Sequence, residues 1–382
     1  MKRKVRYGMV GGDRKAFIGG VHRNAISLVE NANLVAGCFN PNQEVNKKCG
    51  EYYEIDSERI YADYKAMAEA ESKREDKIDF VVIVTPNFLH YEVAKEFILH
   101  GINIMCEKPL CFELDQAEEL KRLSKENNVL FAVNYSYSGN NLLKYAKQLV
   151  KEGYIGEVIN VNAEYLQDWL IDDIGAGDET TNKLSVWRMD PKLSGISNCV
   201  GDIGTHIEHT VSYITGLKLT KVAAVLDYYK QPLDLNANIL VEFDNGSHGV
   251  FNSSQVCVGH ANGLVVRIFG TEGALEWQQE NSNYLYVTKK GQPTQIINRG
   301  TGYVTGRAAE INSLPSGHPE GLVNAFANIY KSFINAIQKH ANGEILGEDD
   351  LDFPDIDAGI HGIKFIHAAV KSNNNHSEWV DL

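Results

Sequence analysis

One stretch limits the fold more than any other: GINIMCEKPLCF, residues 101–112. Ile102, Ile104 and Cys106 read as a buried strand that stops at Glu107, Lys108 and Pro109. Proline removes a ladder donor and fixes φ, so charges followed by proline end a strand. At the carboxyl end of a parallel strand, such a break is where open α/β sheets bind ligands. An ordinary turn with two solvated charges would give the same tripeptide, so the surrounding pattern has to decide.

That pattern is an alternation of strands and helices from the N-terminus. Residues 4–10 (KVRYGMV) predict a strand, followed by a glycine-rich turn and a helix. Glycines in such a turn let backbone N–H groups approach a pyrophosphate at the positive end of the helix. Gly11, Gly12, Asp13, Phe17 and Ile18 are the candidate contacts there. The glycine spacing departs from G-x-G-x-x-G, and Asp13 stands where a second close-approach glycine is usual. A second predicted strand, 34–40, ends at Asn40. An acidic residue at that position marks NAD, and a nearby arginine marks NADP. Asn40 fits neither; with no arginine directly following, the reading leans to NAD and leaves NADP open. Phe80 to Val84 is apolar on both faces, as a central parallel strand should be. It ends in Thr85, Pro86 and Asn87, with His90 at the start of a helix. A helix over 114–126 and a strand over 129–134 complete a doubly wound parallel sheet, the dinucleotide-binding domain expected over 1–135.

From residue 136 the period changes. VINVNAEYLQDW, KVAAVLDYY, NANILVEFDNG, SHGVFNSSQV, LVVRIFG, GALEWQQ and YLYVTKK alternate apolar and polar residues. This predicts an α+β domain over 136–382 with a large open, mostly antiparallel sheet, one face buried and one free. A long free face often pairs with its own copy, so a homodimer or homotetramer through this sheet is expected. If residues 202–215 are helical, Asp202, His206, His209 and Tyr213 share one stripe. Asp202 at the first turn would cap free N–H groups. Asp202, His206 and His209 also have ligand spacing, but no fourth ligand lies near in sequence and no metal is expected. Trp187 and Arg188 read either as a substrate wall and hydrogen-bond fork or as a surface stacking pair.

Composition bounds the partners. A net charge of −13 argues against nucleic acid or an anionic membrane. No segment approaches the ~20 apolar residues needed to span a bilayer. Six cysteines without a CxxC pair read as reduced thiols, which points to the cytoplasm.

Taken in order, Ile18, Gly19 and His22, then Thr85-Pro86-Asn87 with His90, Glu107-Lys108-Pro109, and Gly201, Asp202, Gly204 and His206 resemble one family. It is the Gfo/Idh/MocA family of nicotinamide-dependent sugar and polyol oxidoreductases, and the resemblance spans nearly the whole chain. It implies a Rossmann domain followed by a substrate-binding domain. Lys108 would bind the substrate hydroxyl beside the nicotinamide, through a cis bond to Pro109. Asp202 would orient the substrate or His206, and His206 would be the general base. Cofactor contacts are expected from the glycine turn, Asn40, Thr85, Pro86, Asn87, His90, Glu107 and Lys108. Substrate contacts are expected from Tyr135, Tyr165, Trp169, Trp187, Arg188 and His206. Two departures from the family pattern stand out: the inserted Asp13, Arg14 and Lys15, and Ile196-Ser197 where relatives often carry glycines.

The activity this implies is NAD-dependent oxidation of a ring hydroxyl, at C3, of a sugar, glycoside or polyol. The alternative is an NAD-dependent glycoside hydrolase, in which transient C3 oxidation permits elimination, water addition and re-reduction. Tyr135 or Tyr165 would then be the base near C2. Arg188, His260 or Arg267 would meet an anionic substituent, as on a sulfoquinovoside. A non-enzymatic nucleotide-binding regulator ranks last, because a binding module has no need of both Lys108 and the Asp202–His206 pair.

Overall fold

The computed structural model describes residues 3–175 and 187–382. Its N-terminal half alternates β1 (Val5–Gly11), α1 (Phe17–Ser27), β2 (Ala32–Cys38), α2 (Gln43–Tyr52), α3 (Tyr64–Ser72), β3 (Phe80–Val84), α4 (His90–Leu99), β4 (Asn103–Cys106), α5 (Leu114–Glu126) and β5 (Phe131–Val133). The five strands pair in parallel in the order β2-β1-β3-β4-β5. Every residue of β3 is buried, which explains its uninterrupted apolar run. The strand order reverses between β1 and β3, so the crevice of this sheet lies beyond their carboxyl ends. The glycine turn follows one of these strands and Thr85 the other.

The rest of the chain runs α6 (Asn141–Lys151), β6 (Val158–Leu166), α7 (Pro191–Ser194), α8 (Thr205–Thr215), β7 (Leu219–Asp227), β8 (Asn236–Phe243), β9 (His248–Ser254), β10 (Gly263–Gly270), β11 (Gly273–Gln278), β12 (Tyr284–Lys289), β13 (Gln295–Asn298), α9 (Gly306–Glu310), α10 (Leu322–Ala341), α11 (Ile356–Asn374) and β14 (Val380–Asp381). Nine strands form one sheet, β13-β12-β11-β10-β6-β9-β8-β7-β14, antiparallel except between β6 and β9. All seven alternating stretches are strands. The two that went unpredicted, β13 and β14, are the sheet's edges. One is four residues long with its side chains mostly exposed and the other is two, so neither carries a buried period.

The chain divides into two compact units, and the division is not the linear one expected at residue 135. Residues 322–360 pack with 1–139, while 140–321 and 361–382 form the second unit. The reason is the apolar face of α10. Phe326, Tyr330 and Phe333 are buried in the core of the first unit, with the Phe333 ring edge-on to Phe80 at 5.6 Å. Burying each such ring contributes about 1.5–3 kcal/mol, enough to fix where the helix docks. No helix among the described residues is long and apolar enough to cross a membrane.

Candidate active site

In the first unit, the glycine turn is built for close backbone approach. Gly11 and Gly12 have φ of +79° and +72°, a region open to glycine. A Cβ on Gly19 would stand 2.5 Å from the Gly12 Cα, so α1 leaves the turn in backbone contact with it. Helices α2 and α3 begin with side-chain caps from Asn42 and Asp63, whereas α1 has neither a side-chain cap at Ala16 nor an acidic residue in its first turn. The Asp13 carboxylate accepts from the Ala16 N–H at 3.1 Å, and the N–H groups of the first helical turn beyond it are open to an anion. Across the crevice, the Thr85 Oγ1 is buried without a hydrogen-bond partner at the end of β3. These features fit a dinucleotide: glycines that leave no room for a side chain, free N–H groups in the first helical turn and an unsatisfied hydroxyl.

Behind Lys108 lies a buried network. Glu107 turns inward, where its Oε1 faces the His22 Nε2 at 2.8 Å and accepts from the Asn134 side chain, and its Oε2 accepts from the Lys108 N–H at 3.2 Å. The other His22 nitrogen meets the Tyr330 hydroxyl, delivered by α10. Burial pushes the Glu107 carboxyl up, but the bonds from His22 and Asn134 and the nearby Lys108 charge outweigh it and hold it below the ordinary range. The Lys108–Pro109 bond is cis. His90 is fully buried, its Nδ1 2.7 Å from the Pro109 carbonyl and its Nε2 3.0 Å from that of Thr85. It therefore ties the two strand ends together. Burial lowers its pKa, and the contacts with the two carbonyls oppose that shift.

In the second unit, a single π turn (Val200–Gly204) runs directly into α8. Such turns recur at functional sites because they re-aim side chains. Asp202 sits in it and does not cap the helix as expected, since the chain is already helical on both sides. Instead its Oδ2 accepts from the Gln255 amide at 3.0 Å and lies 3.9 Å from the Arg188 Nε. Gln255 is held by Asn198, whose backbone and side chain both bond to the fully buried Asp234. His206 lies one turn on, its ring 6.1 Å from that of Tyr165. Tyr165 donates to Asn262 at 2.6 Å, and Asn262 also accepts from Gln167, which in turn accepts from the Trp169 indole. The Arg188 guanidinium lies over Trp187 at 4.6 Å and Trp169 at 5.4 Å. Together these groups form a polar cluster walled by indoles, with a carboxylate and an imidazole one helical turn apart.

Comparison with known proteins agrees with this fold. Residues 5–135 match the model of an oxidoreductase family with an NAD-binding Rossmann fold, and residues 143–276 match the GFO/IDH/MocA C-terminal domain. The chain belongs to the Gfo/Idh/MocA family. It is 34% identical to an uncharacterized oxidoreductase of Bacillus subtilis over 100% of this chain and 98% of that one. It is also similar to an inositol dehydrogenase homolog from Azotobacter vinelandii, solved with NADH and myo-inositol: TM-score 0.90, 30% identity, 100% and 98% coverage. A levoglucosan dehydrogenase of Pseudarthrobacter phenanthrenivorans is 28% identical over 55% of this chain and 58% of its own length.

Within this Gfo/Idh/MocA oxidoreductase, residues 5–135 are thus an NAD-binding Rossmann domain. The structure gathers Gly11, Gly12 and Asp13 at one turn and Thr85, Pro86 and Asn87 at the end of β3. Phe17 is exposed at the start of α1, with Ile18 half-buried beside it. Tyr135 is buried just past β5. Arg267 stands on the opposite face of the sheet from Tyr165, paired with Glu164 and Glu276, which removes it from the polar cluster. Among the described residues, no three His, Cys, Asp or Glu side chains stand close enough to hold a metal ion. Sequence reasoning missed Tyr330, Asp234, Gln255 and Asn262. Each comes from a distant segment with no spacing signal tying it to its partner.

Proposed function

We propose that this oxidoreductase oxidises a ring hydroxyl of a sugar, glycoside or polyol with NAD, at C3 of a pyranose substrate. The observation that carries the reading is the second unit's cluster, where Asp202 and His206 stand one turn apart beside Trp169, Trp187 and Arg188. Indole faces suit the C–H faces of a sugar ring, and the amide and guanidinium groups suit its hydroxyls. The relatives named for inositol and levoglucosan point the same way.

A nicotinamide dinucleotide held at the Gly11–Gly12 turn and Thr85 would supply the acceptor for a hydride from the substrate carbon. His206 takes the hydroxyl proton as general base. Lys108 stabilises the negative charge that develops on that oxygen. Asp202, held by Gln255, orients the substrate or the imidazole. The products are a ketone, the reduced cofactor and one proton. A cytoplasmic setting fits the six free cysteines.

The same reading includes a homo-oligomer formed through the free face of the nine-stranded sheet. Leu240 and Val250 form an exposed apolar centre on adjacent strands, and Arg267 lies between Glu164 and Glu276 on the same face. A face carrying both charges beside an apolar patch is complementary to its own copy.

The deciding experiment supplies purified protein with NAD+ and a panel of neutral and anionic glycosides and polyols. Reduced nicotinamide and released aglycone are followed together. Stoichiometric growth of NADH without aglycone release is expected. Aglycone release sustained by catalytic NAD+, with no net NADH, would make the protein a redox-neutral glycosidase instead.

A further inference from the structure

We infer that Asp13, on the glycine turn, takes over the ribose recognition that the end of β2 does not provide, and thereby selects NAD over NADP. The inference rests on the NAD-binding character of the first unit and adds the residue that sets its preference.

Dinucleotide-binding folds normally place a carboxylate at the end of the second strand, where it accepts the adenosine 2′-hydroxyl. Here that position holds Asn40, whose amide is already committed. Its Oδ1 accepts from the Asn42 N–H at 2.9 Å, and its Nδ2 donates to the Asp13 Oδ2 at 2.6 Å. A carboxylate is therefore present beside the end of β2, but it arrives from the turn after β1. Its position is fixed at both oxygens, because the Asp13 Oδ1 accepts from the backbone N–H groups of Lys15 and Ala16 at 2.8 and 3.1 Å. A carboxylate offers about four acceptor directions, and these three bonds leave one on Oδ2. That remaining direction suits a hydroxyl donor. A 2′-phosphate there would bring a second anion against Asp13.

Of the cations close to this corner, four have partners of their own, and Lys15 meets Asp13 through its backbone N–H with its side chain exposed. Arg14 lies over the Tyr52 ring at 4.0 Å. Arg23 lies over Tyr53 at 4.3 Å and donates to the Gly12 carbonyl at 2.7 Å. On α2, Lys48 pairs with Glu44 at 2.6 Å and Lys47 with Glu51 at 3.9 Å. The charged group held by three hydrogen bonds beside the end of β2 is thus an anion.

The test is a fluorescence titration of the purified full chain with NADH and, separately, NADPH, with no sugar present. The wild type should bind NADH about tenfold to a hundredfold more tightly than NADPH, the worth of one charge-assisted hydrogen bond. Asp13→Asn should bring the two affinities within about threefold, by weakening NADH as the charge-assisted bond is lost and by relieving the repulsion on NADPH. The double variant Asp13→Asn with Asn40→Asp, which moves the carboxylate onto β2, should restore the preference for NADH. An unchanged ratio in Asp13→Asn, or an equal loss of both nucleotides, would overturn the assignment and leave Asp13 as a shaper of the turn. Failure of the wild type to bind either nucleotide would instead overturn the cofactor assignment beneath it.

Discussion

The His22 imidazole faces the Glu107 carboxylate at 2.8 Å with its ring wholly buried. A carboxylate can only accept, so His22 Nε2 carries a proton, while its Nδ1 meets the Tyr330 hydroxyl. Three side chains from three segments thus form one buried hydrogen-bonded chain that ends on the residue preceding Lys108. Replacing Glu107 by Gln would set an amide donor against His22 or Asn134. Glu107→Gln should destabilise the protein by about 1–3 kcal/mol, and Tyr330→Phe by about 1 kcal/mol. Urea unfolding of both variants checks this, and equal stability of Glu107→Gln and the wild type would refute it.

The chemistry assigned to Lys108 and His206 separates them kinetically. Lys108→Met should lower kcat by about 10²–10³-fold, as loss of one charge-stabilising donor does. His206→Asn should lower it by about 10²–10⁴-fold and remove the acidic limb of the pH profile of kcat/KM. Steady-state kinetics across pH on the best substrate of the panel is the measurement. A His206 variant that keeps that limb would assign the base elsewhere.

Gly19 allows no substitution by the physics of its position. Its Cβ would meet Gly12 backbone atoms at 2.5 to 3.1 Å, and backbone cannot rotate away. Gly19→Ala should abolish NADH binding in the titration described above and lower Tm. Gly20→Ala, whose Cβ would meet only the end of the Arg23 side chain at 3.9 Å, should leave both nearly unchanged.

Two neighbours on α8 titrate in opposite senses. Burial pushes the Glu208 carboxyl from 4.5 up to about 7, and its Oε2 has no hydrogen-bond partner. Its folded pKa lies above the unfolded one, so its contribution is full below pH 4.5 and is lost as pH rises through about 7. Burial, with Lys144 and Lys147 nearby, lowers His209 from 6.5 to about 3, so its contribution is present above pH 6.5 and is lost as pH falls toward 3. Glu208→Gln should gain on the wild type as pH rises across the first window, and His209→Asn as pH falls across the second. Denaturant midpoints across pH test both, and a difference that stays flat would contradict the burial account.

The free sheet face makes a separate prediction. Leu240→Glu with Val250→Glu places like charges on adjacent strands at its apolar centre. The double variant should shift the protein to monomer in light scattering after size exclusion while leaving the far-UV spectrum intact. A wild type that is already monomeric would refute the interface.

Much of this protein was legible in its residues because its signals are local. An unbroken apolar run gave β3, period-two alternation gave seven strands, and the glycine turn and Glu107-Lys108-Pro109 marked the sheet's crevice. Each of these depends on neighbours a few positions apart, where covalent geometry fixes which side chains share a face. What the sequence left open depends on chain segments that meet only after folding. Residues 322–360 return to the first unit because the apolar face of α10 is buried there, and no periodicity names the partner of a buried face. Tyr330 reaches His22 across 308 residues, and Gln255 reaches Asp202 across 53. Asn40 matches neither cofactor pattern, and only folding sets Asp13 beside it, 27 residues away in the chain. The elements were written in the local pattern. The partners that fix the charge and direction of the site residues were decided by tertiary packing, because a hydrogen bond depends on distance in space and not along the chain.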